Sequence, residues 1–592
     1  MTRLPATLSA DLTPEVLKRM DDEQLKQLAA DLRRLLVRSV AVRGGHLGPN
    51  LGVVELTLAL HRVFDSPRDV LLWDTGHQSY IHKMVTGRVP LFDELRAWGG
   101  LAGYPNREES EHDWVESSHA GNALAYAAGF ALGRHDGHVV AIVGDGALTA
   151  GVALETLNDV VERDLDLILV INDNGRSYAP TTGALAAALR ALRGPVGEQA
   201  AAVLSGAGVR YHGPVDGHDR VAVEEALRAA ARDEGLRIVH AVTQKGRGYE
   251  PALADEVDHL HGVGPFDPLD GRPLTAPPGR IPVTEILARS LVEAGECDDR
   301  IHVITAAMGS ASGLDPFRDR FPDRFHDVGI AEQYAVTLAC GLAMSGARPV
   351  VAIHSTFLGR AFDQVLYEVG LHALEVVFLI DRAGITGGDG PSHNGLYDLA
   401  IAGHVPDALV LAPVDASGLK EALSRALEAG RPAFVRYSRA LPAEPVARNA
   451  PAGPCERGLA VVGYGSTAPL AIEVAGMLRE RGVPAEAEVT GQLLPVPAGL
   501  RKALDDADVV VVLEDHGVMG GFGEMLARTS GHGFAARLRV FGPPGRFLPH
   551  GDPVEVRRHL RLDADALTGA VQRLWLENAA GEVSRAGGAA PR

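Results

Sequence analysis

The chain has 592 residues, 46% of them hydrophobic and 22% charged, with a formal charge of −19 and a pI near 5.6. That length exceeds what one core serves and predicts about three or four domains, while the acidic balance argues against nucleic acid as a main partner. Cys297, Cys340 and Cys455 are too scattered for a metal site and fit a reducing compartment. The opening MTRLPATLSADLTPEVLKRM has no signal-peptide core, and no apolar run approaches the ~18 residues of a membrane helix. A cytoplasmic protein without a membrane partner is expected.

In chain order, Asp22 to Val37 is amphipathic, with leucines at 25, 28, 32, 35 and 36. A glycine-rich turn over 44–52 and a helix from Val53 to about Val63 follow. Leu71–Trp73, Val139–Val143, Leu167–Ile171 and Arg237–Val242 are short apolar runs that predict buried parallel strands alternating with helices. Residues 251–280 are rich in Pro, Gly and Asp and predict a linker. A second unit from Val283 carries strands near 301–305, 350–353, 376–380 and 409–412. After a second linker, Pro442 to Gly458, a third unit over 459–575 carries strands at 459–463, 486–489 and 509–513. The tail from Ala579 is expected to be disordered.

The most informative stretch is Gly144-Asp145-Gly146 after one predicted strand, with Asn174 after the next. Open α/β sheets bind ligands at the carboxyl ends of their strands. A carboxylate and an amide oxygen from two such ends suit Mg²⁺, which takes oxygen ligands and borrows others from water and phosphates. The glycines let the backbone approach a pyrophosphate. This spacing resembles the diphosphate-binding motif of thiamine diphosphate enzymes.

Further motifs follow in one order: GGHLGPNLGVVELTLALH (44–61), WDTGHQSY (73–80), GDGALTAG (144–151), INDNGRSYAP (171–180), GPVDGHD (213–219) and KGRGYEPA (245–252). DVGIAEQYAV (327–336), STFLGRAFDQ (355–364) and DRAGITGGDGPSHNGLYDL (381–399) complete the series. From about residue 25 to 575 the chain resembles the 1-deoxy-D-xylulose-5-phosphate synthase family, transketolase-like enzymes of the methylerythritol phosphate route to isoprenoids. The resemblance implies three doubly wound α/β domains: a pyrophosphate domain over 1–275, a pyrimidine domain over 280–445 and a transketolase C-terminal domain over 455–578, with the tail at 579–592. It implies a homodimer, thiamine diphosphate and Mg²⁺ as cofactors, and decarboxylating condensation of pyruvate with D-glyceraldehyde 3-phosphate.

Residue by residue, the resemblance makes Asp145, Asn174 and the backbone carbonyl near Arg176 the Mg²⁺ ligands. Gly144, Gly146, Ala147, His77 and Lys245 would line the diphosphate, lysine acting as a point charge. Glu332 would hydrogen-bond the aminopyrimidine ring, and Phe357 would pack on it. His46 and His261 would move protons or hold substrate beside the reacting carbon, since histidine titrates near neutrality. His393 and Asp389 would contact the acceptor's hydroxyls, His354 would lie near its phosphate, and Arg360, Arg382 and Arg436 would bind that phosphate.

Several departures accompany the resemblance. The segment between Asn174 and Gly213 is shorter than is usual in the family, which bears on gating at the site mouth. Tyr334 stands where histidine is usual, and tyrosine does not take up a proton near neutrality. His354 replaces a usual tyrosine. SHAGNALA (118–125) lacks the small hydroxyl residues common in that segment, and Pro49 stands where some members have serine. A thiamine-dependent ligase with a different donor or acceptor is therefore the alternative reading. A catalytically inactive binding subunit is a third, opposed by the retention of Asp145, Asn174, Glu332, His46, His261 and His393.

Overall fold

The computed structural model describes Leu8, residues 11–116, 118–194, Gln199 and residues 208–274, 282–446, 458–531 and 533–586. Contacts divide the chain into two units. Unit 1 is Met1–Ala276 with Gly329–Ala331 and Gly388–Ser392, and unit 2 is the remainder.

In unit 1, runs that are apolar on both faces form a central parallel sheet. Its strands are β1 (Val70–Trp73), β2 (Val139–Gly144), β3 (Leu167–Asp173), β4 (Arg210–Asp216) and β5 (Leu236–Val242), in the order β1-β2-β3-β5-β4. The period of two splits β3 between cores: Leu167, Leu169 and Ile171 face one helical layer, Ile168 and Val170 the other. The four predicted strands are present. β4 escaped prediction because it is a polar, half-exposed edge, broken in register between His212 and Val215.

The first amphipathic helix runs from Asp22 to Arg43, past its predicted end at Val37. Asp21 and Gln24 form a capping box at its start, and Gly44, at φ 70°, ends it. Its leucines at 25, 28, 32, 35 and 36 are all buried.

The predicted linker over 251–280 is corrected as far as 274. Glu250–Ala254 is helical, Val263 pairs with Gly45, and Phe266 is buried in the same core as the first helix. Backbone pairing to the 44–52 turn supplies the order that side-chain periodicity does not announce. Residues 275–281 lie outside the described residues.

Unit 2 contains β6 (Ile301–Thr305), β7 (Phe325–Asp327), β8 (Arg348–His354), β9 (Val377–Asp381), β10 (Leu409–Leu411), β11 (Ala433–Arg436), β12 (Leu459–Tyr464), β13 (Ala485–Thr490), β14 (Gln492–Leu494), β15 (Val509–Leu513) and β16 (Leu538–Phe541). One sheet has the order β14-β10-β11-β9-β8-β6-β7, the other β13-β12-β15-β16. All pairings are parallel except β10 with β14. The molecule is thus α/β with three parallel-dominated sheets, as expected.

β11, β14 and β16 were not predicted, and β7 was expected only at Asp327-Val328, because runs of three or four residues carry too little periodicity to stand out. β14 joins the sheets of unit 2, since it follows β13 of one sheet and pairs with β10 of the other. The last helix, Ala564–Ala586, corrects the expected tail: residues 579–586 continue a helix instead of leaving it. Ala, Glu and Arg there are good helix formers. Residues 587–592 and the linker residues 447–457 lie outside the described residues.

Candidate active site

In unit 1, β2 and β3 are neighbours, with Gly144 in register with Asn172. Asp145 and Asn174 therefore follow adjacent strand ends, as the motif implied. Asp145 is 2% exposed. Its Oδ2 accepts from the Thr181 hydroxyl at 2.6 Å, while its Oδ1 is buried with no hydrogen-bond partner. Burial, reinforced by the neighbouring Asp173 charge, pushes its carboxyl up to about 6. A buried carboxylate with an unused oxygen fits a cation that would neutralise it.

Asn174 Oδ1 accepts from the backbone N–H of Arg176 at 3.1 Å, so in this state it caps its own turn. The Arg176 side chain donates to the backbone oxygens of Val257 and Glu256, which ties the 251–274 segment to the motif loop. A Cβ at Gly144 would meet nothing within 4 Å, whereas one at Gly146 would lie 2.9 Å from Ser177 Cβ. Space beside the strand end thus requires glycine at 146 in particular.

Three histidines from distant stretches of unit 1 converge, His46 and His261 buried and His77 half-buried. Ring centroids of His46 and His77 are 5.6 Å apart, His46 and His261 5.8 Å, and His77 and His261 5.1 Å. Asn50 holds two of them: its amide nitrogen donates to the carbonyls of His46 (2.9 Å) and His77 (2.7 Å), and its oxygen accepts from Tyr80 N. His77 is held well below its ordinary value by burial and then by His46 and Lys245, and its Nδ1 has no partner. His261 is lowered by burial and then by Lys245 and the other two rings. Neutral rings that accept and donate are the form a proton carrier needs.

Sequence reasoning missed Asn50, Thr181, Tyr104 and Tyr178. Tyr104 packs 5.5 Å from His46, and Tyr178 stacks on His261 at 3.9 Å. Tyr178 lies inside the quoted INDNGRSYAP motif, but nothing local says which ring it meets. Asp389, expected at the acceptor, is paired with Arg96 at 2.7 Å within unit 1.

In unit 2, Glu332 opens the helix Glu332–Met344 and is 4% exposed. Arg360 Nε donates to Glu332 Oε2 at 2.9 Å. Arg360 is thus held by Glu332 and is not placed as a phosphate ligand, because a buried carboxylate needs a cation partner. Phe357 lies between two histidines, stacked against His354 (5.7 Å, 13°) and edge-on to His393 (5.7 Å, 78°). His354 is 1% exposed and is held well below its ordinary value by burial and then by Arg382, Arg439 and His393. Tyr334 is 57% exposed.

The phosphate assignment of Arg436 is corrected. Arg436 is 1% exposed, with Nε 2.7 Å from Asp398 Oδ2, Nη1 3.3 Å from Asp515 Oδ2 and Nη2 donating to the Asp515 carbonyl. Its guanidinium is spent inside the protein. Three residues on, Arg439 carries an accessible guanidinium, with Nε 3.2 Å from both oxygens of Asp381. Arg382 adjoins it: its backbone N–H donates to Asp381 Oδ1, and its Nε is buried without a partner. Arg382 adopts φ 59°, and a Cβ at Gly395 would strike its carbonyl at 2.3 Å, so DRAG and HNGL are locked together.

Among the described residues no helix is long and apolar enough to cross a membrane. Residues 8–203 match the family described as 1-deoxy-D-xylulose-5-phosphate synthase, residues 280–444 the transketolase pyrimidine-binding domain, and residues 455–567 the transketolase C-terminal domain. The 1-deoxy-D-xylulose-5-phosphate synthase of Nocardia farcinica is 45% identical over 608 residues, covering 93% of this chain and 96% of that protein. Those of Rhodococcus jostii (44% over 606 residues, 93% of each) and Mycobacterium tuberculosis (45% over 603 residues, 93% and 94%) are similar. The strand-end motif, the histidine cluster and this identity along nearly the whole chain lead to one conclusion: the chain belongs to the 1-deoxy-D-xylulose-5-phosphate synthase family.

Proposed function

We infer that the chain condenses pyruvate with D-glyceraldehyde 3-phosphate to give 1-deoxy-D-xylulose 5-phosphate and CO₂. The observation that carries this reading is the buried Asp145, with its unused oxygen, at the end of β2 in a unit that also gathers His46, His77 and His261. Relatives with 44–45% identity bear the name of that activity, and a different donor or acceptor is not favoured.

The family depends on thiamine diphosphate, which when bound supplies a carbon nucleophile and an electron sink for decarboxylation. The residues present fit it. Asp145, Asn174 and the backbone carbonyl near Arg176 would hold Mg²⁺, with Asn174 giving up its turn bond to do so. Gly144, Gly146, Ala147, His77 and Lys245 would line the diphosphate. Glu332 would receive or release a proton at the aminopyrimidine, and Phe357 would pack on that ring. The segments 1–275, 280–445 and 455–578 take the pyrophosphate, pyrimidine and C-terminal roles.

His46 and His261 would hand on a proton or hold substrate beside the reacting carbon, His261 as the neutral ring that burial enforces. His393 and Asp389 orient the acceptor's hydroxyls. Arg382 and Arg439 present fixed N–H donors to its phosphate, and His354 stacks on Phe357. Tyr334, Met344, Tyr367 and Leu371 of unit 2 are large exposed side chains that a homodimer would cover.

Incubation with thiamine diphosphate, Mg²⁺, ¹³C-pyruvate and D-glyceraldehyde 3-phosphate is expected to give labelled 1-deoxy-D-xylulose 5-phosphate by NMR. Labelled CO₂ without the sugar would refute the acceptor and retain the cofactor chemistry. Asp145→Asn is expected to weaken divalent-cation binding about tenfold or more, read by Mn²⁺ electron paramagnetic resonance. Unchanged Mn²⁺ affinity would remove Asp145 from the ligand set.

A further inference from the structure

Lys245 is 4% exposed and follows β5, yet its ammonium group reaches two acceptors in other segments. Nζ lies 2.7 Å from the Ser177 carbonyl and 2.7 Å from His261 Nδ1. We propose that Lys245 is a positioning residue that holds His261 in one tautomer, with the ring proton on Nε2 and the Nδ1 lone pair committed to the ammonium. This rests on the reading of His261 as a proton carrier.

An ammonium has three donors and no lone pair, so it can only donate to Nδ1. A neutral imidazole that accepts at one nitrogen carries its proton on the other. The Ser177 carbonyl is 3.3 Å from the same Nδ1 and would favour the opposite tautomer. It loses, because the lysine contact is 0.6 Å shorter and charge-assisted.

Packing on the ring opposes its turning over. It is stacked between Tyr178 (3.9 Å, 20°) and His77 (5.1 Å, 7°), and its backbone N–H is pinned to Asp258 Oδ1 at 3.1 Å. A flipped ring would also set a C–H against the ammonium. The groups that face the pair are His46 and His77 beside the imidazole, and Asp258, Arg176, Asp145 and Asp255 beside the ammonium. With two of its three N–H bonds spent, Lys245 keeps one for an external anion.

The test is ¹⁵N NMR of histidine-labelled, cofactor-free protein at about pH 6, below the midpoint of about 7 to which burial lowers the lysine amine. The His261 signals are identified by their loss in His261→Asn. The expected spectrum shows an unprotonated Nδ1 and a protonated Nε2, retained in Lys245→Arg. In Lys245→Met the Ser177 carbonyl captures the ring and Nδ1 becomes protonated. With substrates, Lys245→Met is expected to lower kcat about 10²-fold with a smaller change in the KM for pyruvate, and Lys245→Arg to restore part of it. A protonated Nδ1 in the unsubstituted protein, or an unchanged tautomer in Lys245→Met, overturns the proposal. The spectrum requires no turnover, so a locked tautomer in a protein that makes no sugar phosphate would refute the functional reading and leave this one standing.

Discussion

Glu332→Gln is expected to lower turnover about 10²- to 10⁴-fold while leaving the thermal midpoint nearly unchanged. The amide keeps an oxygen for Arg360 Nε, now 2.9 Å from Glu332 Oε2, but it cannot ionise or protonate a ring. Glu332→Ala removes that oxygen as well and leaves the guanidinium of Arg360, 11% exposed, without its carboxylate. Losing one partner of a buried pair costs about 3–5 kcal/mol, so alanine should lower both activity and stability. Calorimetry beside a steady-state assay separates the two effects. If glutamine retained near-normal turnover, Glu332 would have only the structural role that its ion pair with Arg360 already explains.

Arg436 and Arg439 give the second large contrast. Arg436→Met should destabilise unit 2 by about 3–5 kcal/mol, since it strands the buried carboxylates of Asp398 and Asp515. Arg439→Lys, which keeps a cation beside the buried Asp381 but loses the planar fork, should leave the thermal midpoint close to that of the parent and raise the KM for the phosphorylated acceptor far more than that for pyruvate. A stable Arg436→Met protein with a weakened acceptor would restore the phosphate role to Arg436.

The sign of the pH dependence follows from the same cluster. Burial would raise the Asp398 carboxyl, but Arg436, His516 and the Arg436 and Ser355 hydrogen bonds outweigh it and hold it below its ordinary 3.8. A carboxyl depressed in the folded state contributes fully above its unfolded value and is lost as pH falls through the folded one. Acid unfolding below about pH 4 should therefore be blunted in Arg436→Met relative to the parent, because the pair that protonation would break is already gone.

Much of the chemistry was readable from residue order. GDG followed by a second strand and an asparagine is a local pattern, and local patterns survive folding: Asp145 and Asn174 do follow neighbouring strand ends. Glycine at 146 was read as allowing approach to a pyrophosphate; the fold adds that a Cβ there would lie 2.9 Å from Ser177 Cβ. The buried strands announced themselves because a run that is apolar on both faces has few alternatives to a sheet interior.

What the sequence determined by itself was therefore the fold class, the strands with strong apolar runs, and the types of chemical group on offer. The tertiary structure alone decided which arginine faces inward. Arg436 and Arg439 lie three residues apart and nothing local distinguishes them, but β11 directs Arg436 towards Asp398 and Asp515, whereas Arg439 lies beyond the strand end. It also decided that Arg360 holds Glu332, that residues 251–274 are folded and not a linker, and that Lys245 meets His261. Each of these rests on where a buried charge or an unpaired backbone group finds its partner. That partner is chosen by packing across many residues of sequence, which no local spacing records.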